Sequence, residues 1–257
     1  MPEHWLLLDI GNTHTVAGVF RADGDHIAEM RFRTDPHCTA DEYRMLLRQL
    51  FQDPLGRSVW ELVDRVILST VVPALERVVA QACSNLPCLS INAGLARDFE
   101  LDLPHPEQLG ADRLCNVAGA LQRAPAPLLI VDAGTATTFC LVDPVRGYIG
   151  GAIVPGLETS WRALQGRAAK LFAVELIRPD NVVGNTTETQ IQSGVLQGYE
   201  ALIEGMADRL LRDAGFAKAT LVATGGCSRL IRLSERFRLE PDLTLLGLFR
   251  YGQLNDK

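Results

Sequence analysis

The sequence predicts an α/β protein built from two similar halves, and three observations carry that reading. A segment near the start, LLLDIGNTHTVAGVF (6–20), matches one near the middle, LIVDAGTATTFCLVD (129–143). A constant offset of 123 residues carries Asp9 onto Asp132, Gly11 onto Gly134, Thr15 onto Thr138 and Val19 onto Val142. In each half, three strands are followed by alternating helix and strand, which is an α/β pattern. The 257 residues suffice for one large domain or two of ordinary size. A Pro-rich linker, RAPAP (123–127), separates the halves, so the predicted domains are 1–123 and 124–257.

The elements follow from local pattern. In the first half, apolar runs predict strands at 5–10, 15–20 and 27–33. Tyr43, Leu46, Leu47 and Leu50 recur at helical spacing and predict a helix over about 40–51. RVILST (65–70) is β-branched and apolar, hence a buried strand. Pro73 opens a helix running to about Ala82, because proline suits a first helical turn. A short strand is expected at 88–91. A Pro-rich loop, LPHPEQLG (103–110), then leads into a helix over about 111–122. In the second half, strands are expected at 128–132, 137–142 and 147–153, and a helix at about 157–165 after Pro155-Gly156. The polar loop RPDNVVGNTT (178–187) precedes a long helix over about 187–212. ATLVAT (219–224) reads as a strand, Gly225-Gly226 as a turn, and 227–233 as a helix. A ligand cleft is expected between the halves, since pockets favour domain interfaces.

Composition excludes several classes. Hydrophobic residues make up 47% and charged residues 22%, which rules out a disordered or fibrous chain. The net charge of −6 gives no broad positive field for counterion release, so no nucleic-acid partner is expected. The six cysteines, at 38, 83, 88, 115, 140 and 227, have no zinc-ligand spacing. They read as reduced thiols filling a core, which suits a reducing compartment. MPEHWLLLDIGNT lacks the basic region of a signal peptide. No run approaches the roughly 20 apolar residues of a membrane span. A cytoplasmic protein without a membrane partner is expected.

Two turns have the chemistry of a phosphate site. In Asp9-Ile10-Gly11-Asn12-Thr13-His14-Thr15, glycine allows close backbone approach, and successive N–H groups can cradle an anion. The aspartate can hold Mg²⁺ near phosphate oxygens. Read alone, the segment serves equally as a β-turn with a solvated aspartate. Asp132-Ala133-Gly134-Thr135-Ala136-Thr137-Thr138 mirrors it with three hydroxyls around one glycine. Paired turns of this kind can clamp a nucleotide polyphosphate. Ala223-Thr224-Gly225-Gly226 lets a nucleotide lie against backbone, or is a plain strand-to-helix turn. Gly110-Ala111-Asp112-Arg113 opens a helix, where Asp112 is either a capping carboxylate or a base for phosphoryl transfer. Arg113 then binds an anionic substrate group or locks the helix. Glycines in Gly150-Gly151-Ala152-Ile153-Val154-Pro155-Gly156 suggest backbone approaching another chain or a ligand. The five histidines show no metal-ligand spacing.

Taken together, DIGNTHT, STVVPAL (69–75), GADR, DAGTATT, GGAIVPGLETS (150–160), AAKL (168–171), GNTTETQIQSG (184–194), ATGG and DLTLLGL (242–248) resemble type III pantothenate kinase. They stand in the family's order and cover nearly the whole chain. The resemblance implies the acetate and sugar kinase/Hsp70/actin fold, with two ribonuclease-H-like domains, and a homodimer. It implies ATP-dependent phosphorylation of the 4′-hydroxyl of pantothenate, the first step of coenzyme A synthesis. It also implies Mg²⁺ and a monovalent cation, K⁺ or NH₄⁺. By position, Asp9, Ile10, Gly11, Asn12, Thr13, His14, Thr15 and Val16 match the family's ATP-phosphate loop, and Thr135 matches an ATP contact. Gly110, Ala111, Asp112 and Arg113 match its pantothenate-binding segment, with Asp112 as catalytic base. Asp132 matches the monovalent-cation ligand, and Thr187 a threonine that reaches pantothenate from the neighbouring subunit. The 150–156 segment and the helix after Thr187 would then lie near the dimer interface.

One position departs from the family pattern. Seven residues before Gly110 the family usually carries an aromatic residue, commonly Tyr, against pantothenate, and here Leu103 stands there. The departure implies altered pantothenate binding with the chemistry retained. Two other readings remain at the level of sequence: a non-catalytic nucleotide-binding regulator of the same fold, and a kinase for a different alcohol.

Overall fold

The apolar run at the start of the chain becomes a strand buried on both faces. In β1 (His4–Ile10), Trp5, Leu6, Leu7, Leu8 and Ile10 are all buried. That burial follows from its place at the centre of a five-stranded sheet. β2 (His14–Arg21) pairs antiparallel with β1, and β3 (His26–Arg33) antiparallel with β2. β4 (Val63–Thr70) lies parallel to β1 on its other side, and β5 (Cys88–Ser90) parallel to β4. The order is β3-β2-β1-β4-β5. The structure, a computed structural model, describes residues 3–51, 59–167 and 174–256. The AAKL segment therefore lies outside the described residues.

Two helices cover one face of this sheet. α1 (Ala40–Leu50) starts at a capping box, in which Thr39 and Glu42 exchange hydrogen bonds. α2 (Pro73–Ala82) begins on its proline, as expected from sequence. Leu6, Leu8, Ile10, Tyr43, Leu47, Val66, Leu68, Leu75 and Val79 form the core between them.

The second unit repeats the plan. β6 (Leu128–Ala133) is central, with β7 (Ala136–Asp143) and β8 (Gly147–Pro155) antiparallel in succession. β9 (Thr220–Thr224) lies parallel to β6, and β10 (Phe237–Leu239) parallel to β9. The order β8-β7-β6-β9-β10 reproduces that of the first sheet, strand for strand and sense for sense. α4 (Leu157–Arg167) follows β8, and the long α5 (Thr187–Asp213) packs Leu196, Tyr199, Ile203 and Ala207 on Leu129, Val131 and Phe139.

Two sequence expectations change here. Residues 227–233 form no α-helix; a single 3₁₀ turn spans Gly226–Arg229. The Arg232 and Ser234 N–H groups instead donate to Glu200 Oε1 at 2.5 Å and Glu204 Oε1 at 2.8 Å. Acidic side chains of α5 thus take the donors that a continuing helix would use. The second change concerns the end of the chain, which the sequence assigned to the second domain. Residues 242–257 belong to the first compact unit, with 1–100 and 104–123, while 101–103 and 124–241 form the other.

The reason lies in two helices. α3 (Ala111–Leu121) and α6 (Leu243–Leu254) cross at backbone contact. A Cβ on Gly247 would sit 1.8 Å from the Cys115 carbonyl oxygen, and one on Gly119 2.3 Å from that of Leu243. Thr244 Oγ1 donates to Asn116 Oδ1 at 2.8 Å, and Arg250 pairs with Asp98 at 2.8 Å. α6 therefore fixes α3 against the sheet.

Gly247→Ala is expected to lower the unfolding free energy by about 1–3 kcal/mol, because the clash is with backbone. Gly198→Ala, in mid-α5 with nothing within 4 Å, is expected to raise it by about 0.5–1 kcal/mol. Urea denaturation followed by circular dichroism reads both.

Candidate active site

Each central strand ends in an aspartate: Asp9 on β1, Asp132 on β6. In the first unit, parallel register sets Asp9 beside Ser69 at the end of β4. The Ser69 hydroxyl donates to Asp9 Oδ1 at 3.0 Å. The following turn closes when Gly11 N–H donates to the His14 carbonyl at 3.1 Å. Within the expected nucleotide loop, Ile10 and Thr15 point into the core, and the Thr15 and Thr34 hydroxyls share a 3.0 Å bond. Those two residues can serve the loop only through backbone. Asn12 and His14 are exposed; Asp9, Gly11, Thr13 and Val16 are half-buried.

Asp112 stands in the first turn of α3, with Gly110 as N-cap. Its Oδ1 accepts the Arg113 N–H at 2.8 Å. A Cβ on Gly110 would lie 2.5 Å from the same oxygen, so glycine is what leaves room for the carboxylate. Burial pushes the Asp112 carboxyl above the ordinary carboxylate range, while the Arg113 N–H and guanidinium pull it back. Ala111 beside it is buried and Arg113 half-buried. One turn further on, Cys115 is wholly buried. Burial first, then the charges of Asp9 and Asp112, drive its thiol well above the usual value, and the Ser69 hydroxyl opposes them.

In the second unit, Asp132 is registered against Thr138 on β7 and Thr224 on β9, so all three lie on one face of the sheet. Thr138 Oγ1 is buried and has no hydrogen-bond partner among the described residues. Gly225, at φ +91°, packs on this corner; a Cβ there would meet Asp132 Oδ1 at 2.4 Å. The exposed Thr135 is held by its carbonyl, which accepts Gly156 N–H at 3.1 Å and Thr159 Oγ1 at 2.6 Å. Thr137 Oγ1 bonds the Tyr199 hydroxyl behind the turn. Burial raises the Tyr199 phenol above its ordinary value. Two glycines of 150–156 meet the chain's own backbone: a Cβ on Gly151 would lie 1.7 Å from the Phe139 carbonyl oxygen, and one on Gly156 2.1 Å from that of Gly134, while Gly150, at φ +121°, has nothing within 4 Å.

Two further expected residues sit in the second unit. Leu103 is half-buried, just beyond a parallel bridge from Leu101 to Tyr148 and a 2.9 Å bond from Asp102 N–H to the Tyr148 carbonyl. Thr187 is exposed at the start of α5, whose cap joins Thr186 and Thr189. The first unit therefore holds Asp9–Val16 and Gly110–Arg113; the second holds Leu103, Asp132, Thr135 and Thr187. Sequence reasoning missed Ser69, Cys115 and Tyr199, and read Thr138 only as one of three hydroxyls around Gly134. Ser69 lay in a quoted motif, but its place beside Asp9 depends on strand register.

Twin sheets of this order, each with an aspartate ending its central strand, define the actin-like ATPase and sugar-kinase fold class. The activator of 2-hydroxyisocaproyl-CoA dehydratase from Clostridium difficile, solved with ADPNP, aligns at a TM-score of 0.57 and 14% identity, over 100% of this chain and 96% of that one. An inorganic polyphosphate/ATP-glucomannokinase from Arthrobacter aligns at 0.51 and 14%, over 98% and 97%. Within that class, the family model for type III pantothenate kinase matches residues 5–209. A type III pantothenate kinase from Bacillus cytotoxicus is 38% identical over 255 residues, covering 97% of this chain and 95% of its own. The chain belongs to the type III pantothenate kinase family.

Gly110→Ala is expected to displace the Asp112 carboxylate and, with Asp112 read as the base, to lower kcat at least about tenfold with the fold intact, since misplacing a reacting group by 1 Å can cost about a hundredfold. Steady-state kinetics beside a circular dichroism melt tests this.

Proposed function

We propose that Asp112 accepts or orients the proton of the pantothenate 4′-hydroxyl while the γ-phosphoryl group of ATP is transferred to that oxygen. The family supports the reaction: the chain is a pantothenate kinase, a phosphotransferase of coenzyme A biosynthesis, with ATP as co-substrate. One observation carries the residue assignment: the Asp112 carboxylate is fitted against the side-chain-free Gly110 N-cap at the start of α3, in the same unit as the Asp9 turn.

The chemistry follows from their surroundings. A partly buried carboxylate is a stronger base than a solvated one, and Asp112 has that character. The first-turn N–H groups of α3 and the Arg113 guanidinium favour an anionic group, which suits the carboxylate of pantothenate. As the hydroxyl oxygen attacks in line, charge spreads over the phosphoryl oxygens, where N–H groups of the 9–16 loop stabilise it. Asp9 fits Mg²⁺. Mg²⁺ is usually held by one or two carboxylates together with phosphate oxygens and water, and Asp9 at the phosphate loop would be such a carboxylate. Asp132 with the partnerless Thr138 hydroxyl gives oxygen donors for K⁺ or NH₄⁺. Bound there, the cations supply positive charge toward the phosphates.

Three further assignments belong to the same reading. A homodimer is supported by apolar side chains left exposed in the second unit: Ile153 on β8, Val182 and Val183 ahead of α5, and Leu202 on it. Thr187 would reach pantothenate across that dimer. A cytoplasmic location is supported by six free thiols. Among the described residues, no helix is long and apolar enough to cross a membrane.

Asp112→Asn is expected to cut kcat by about a hundredfold or more, with ATP affinity retained. A coupled ADP-release assay with and without pantothenate and K⁺ measures it; parental turnover in a folded variant would refute the role. Burial raises the folded-state pKa of Asp112 above its unfolded value of about 3.9. Stability from the protonated form is complete below about pH 4 and is lost as pH rises through the raised value. Asp112→Asn is therefore expected to melt higher than the parent at neutral pH, an advantage that vanishes below about pH 4. The parent's kcat/KM should fall on acidification through that raised pKa.

Leu103→Tyr restores the family's usual side chain. It is expected to lower the KM for pantothenate by about two- to tenfold, the worth of one neutral hydrogen bond, with the KM for ATP unchanged.

A further inference from the structure

Ser69 ends the STVVPAL segment's strand in a position that the reaction itself does not use. It is fully buried, one residue from the end of β4, and its side chain shares a face of the sheet with Asp9. Its Oγ donates to Asp9 Oδ1 at 3.0 Å. A serine hydroxyl has one proton, so committing it to Asp9 leaves only lone pairs for other neighbours. A carboxylate oxygen accepts, so the proton of this pair points from Ser69 to Asp9.

The strand end that carries Ser69 is fastened as well. Val71 N–H donates to the Ile10 carbonyl at 3.1 Å, tying the exit of β4 to the exit of β1. Thr70 Oγ1 accepts Val72 N–H at 3.1 Å and closes the turn into α2. Ser69 therefore meets Asp9 from a rigid platform. The bond from Ser69 restrains Asp9 about its two side-chain torsions, as a group that binds phosphate-bound metal requires.

We propose that Ser69 is a positioning residue, whose hydroxyl holds the Asp9 carboxylate in the one orientation that serves the nucleotide's phosphates. The proposal rests on the placement of Asp9 at those phosphates. It assigns Ser69 no contact with either substrate.

The test is a double-mutant cycle on the full chain: Ser69→Ala, Asp9→Asn and the pair together. Calorimetry gives the dissociation constant for Mg²⁺·ADP, steady-state kinetics the KM for pantothenate, and a thermal melt the stability. Ser69→Ala is expected to weaken Mg²⁺·ADP and lower kcat/KM for ATP by about ten- to a hundredfold, the range for a hydrogen bond to a charged group. The KM for pantothenate and the melt should stay at parental values. In the Asp9→Asn background, adding Ser69→Ala should change nothing more. Ser69→Thr, which keeps the hydroxyl, should recover most of the affinity. Parental Mg²⁺·ADP binding by Ser69→Ala, beside weakened binding by Asp9→Asn, would overturn the proposal alone. Additive losses would also overturn it, because they mark a structural role. Parental binding by Asp9→Asn would remove the placement of Asp9 and the proposal together. If Ser69→Ala does not fold, Ser69→Cys enters the same cycle, keeping the volume and weakening the donor.

Discussion

A carboxylate at the end of a central β-strand has to keep its charge and its direction at the edge of a hydrophobic sheet. Both units are arranged around that requirement. Asp9 ends β1 with Ser69 registered beside it on the parallel strand, and Asp132 ends β6 with Thr224 in the matching place. A hydroxyl next to the carboxylate supplies a dipole without a countercharge, so the acid stays open to a cation or a phosphate-bound metal. The strand order of each sheet gives this its geometry. Only a parallel neighbour on one side and an antiparallel hairpin on the other bring a hydroxyl, a tight turn and the aspartate to one edge.

The second requirement is precision at Asp112. Its helix is held from behind by α6, whose Gly247 lies against the Cys115 carbonyl, and from its own N-cap by Gly110. Removing side chains at these points lets backbone approach backbone, which packs a helix more rigidly than side chains with rotamers of their own. α6 thus belongs to the first unit as the support of α3. The same device appears at Gly225 and Gly156, which crowd the turn carrying Asp132 and Thr135. Glycine at these sites does not loosen the loops; it lets neighbouring backbone lock them.

Much of this was visible in the amino acids. Alternating and continuous apolar runs marked nine of the ten strands, because burial imposes its period directly on sequence. Pro73 marked the start of α2, and the repeat of Asp9 at Asp132 marked equivalent turns. The short β10 escaped: its residues, Phe-Arg-Leu, sit half-buried or exposed at the sheet edge and carry no apolar run. The expected helix at 227–233 failed for a different reason. Its own residues favour a helix, but Glu200 and Glu204 on α5 take its backbone donors. DLTLLGL was noticed as a motif, yet nothing local says which unit a final helix will join.

The sequence by itself determined the α/β class, the duplicated hairpins and the family. These rest on short-range chain properties: side-chain period, turn residues and motif order. The tertiary structure alone decided that α6 belongs with α3, that Ile10 and Thr15 turn inward, and that the Ser69 hydroxyl meets Asp9. Each of these depends on register between strands or on contact between distant helices. Residues 60 or more positions apart meet there, and no local pattern records the meeting.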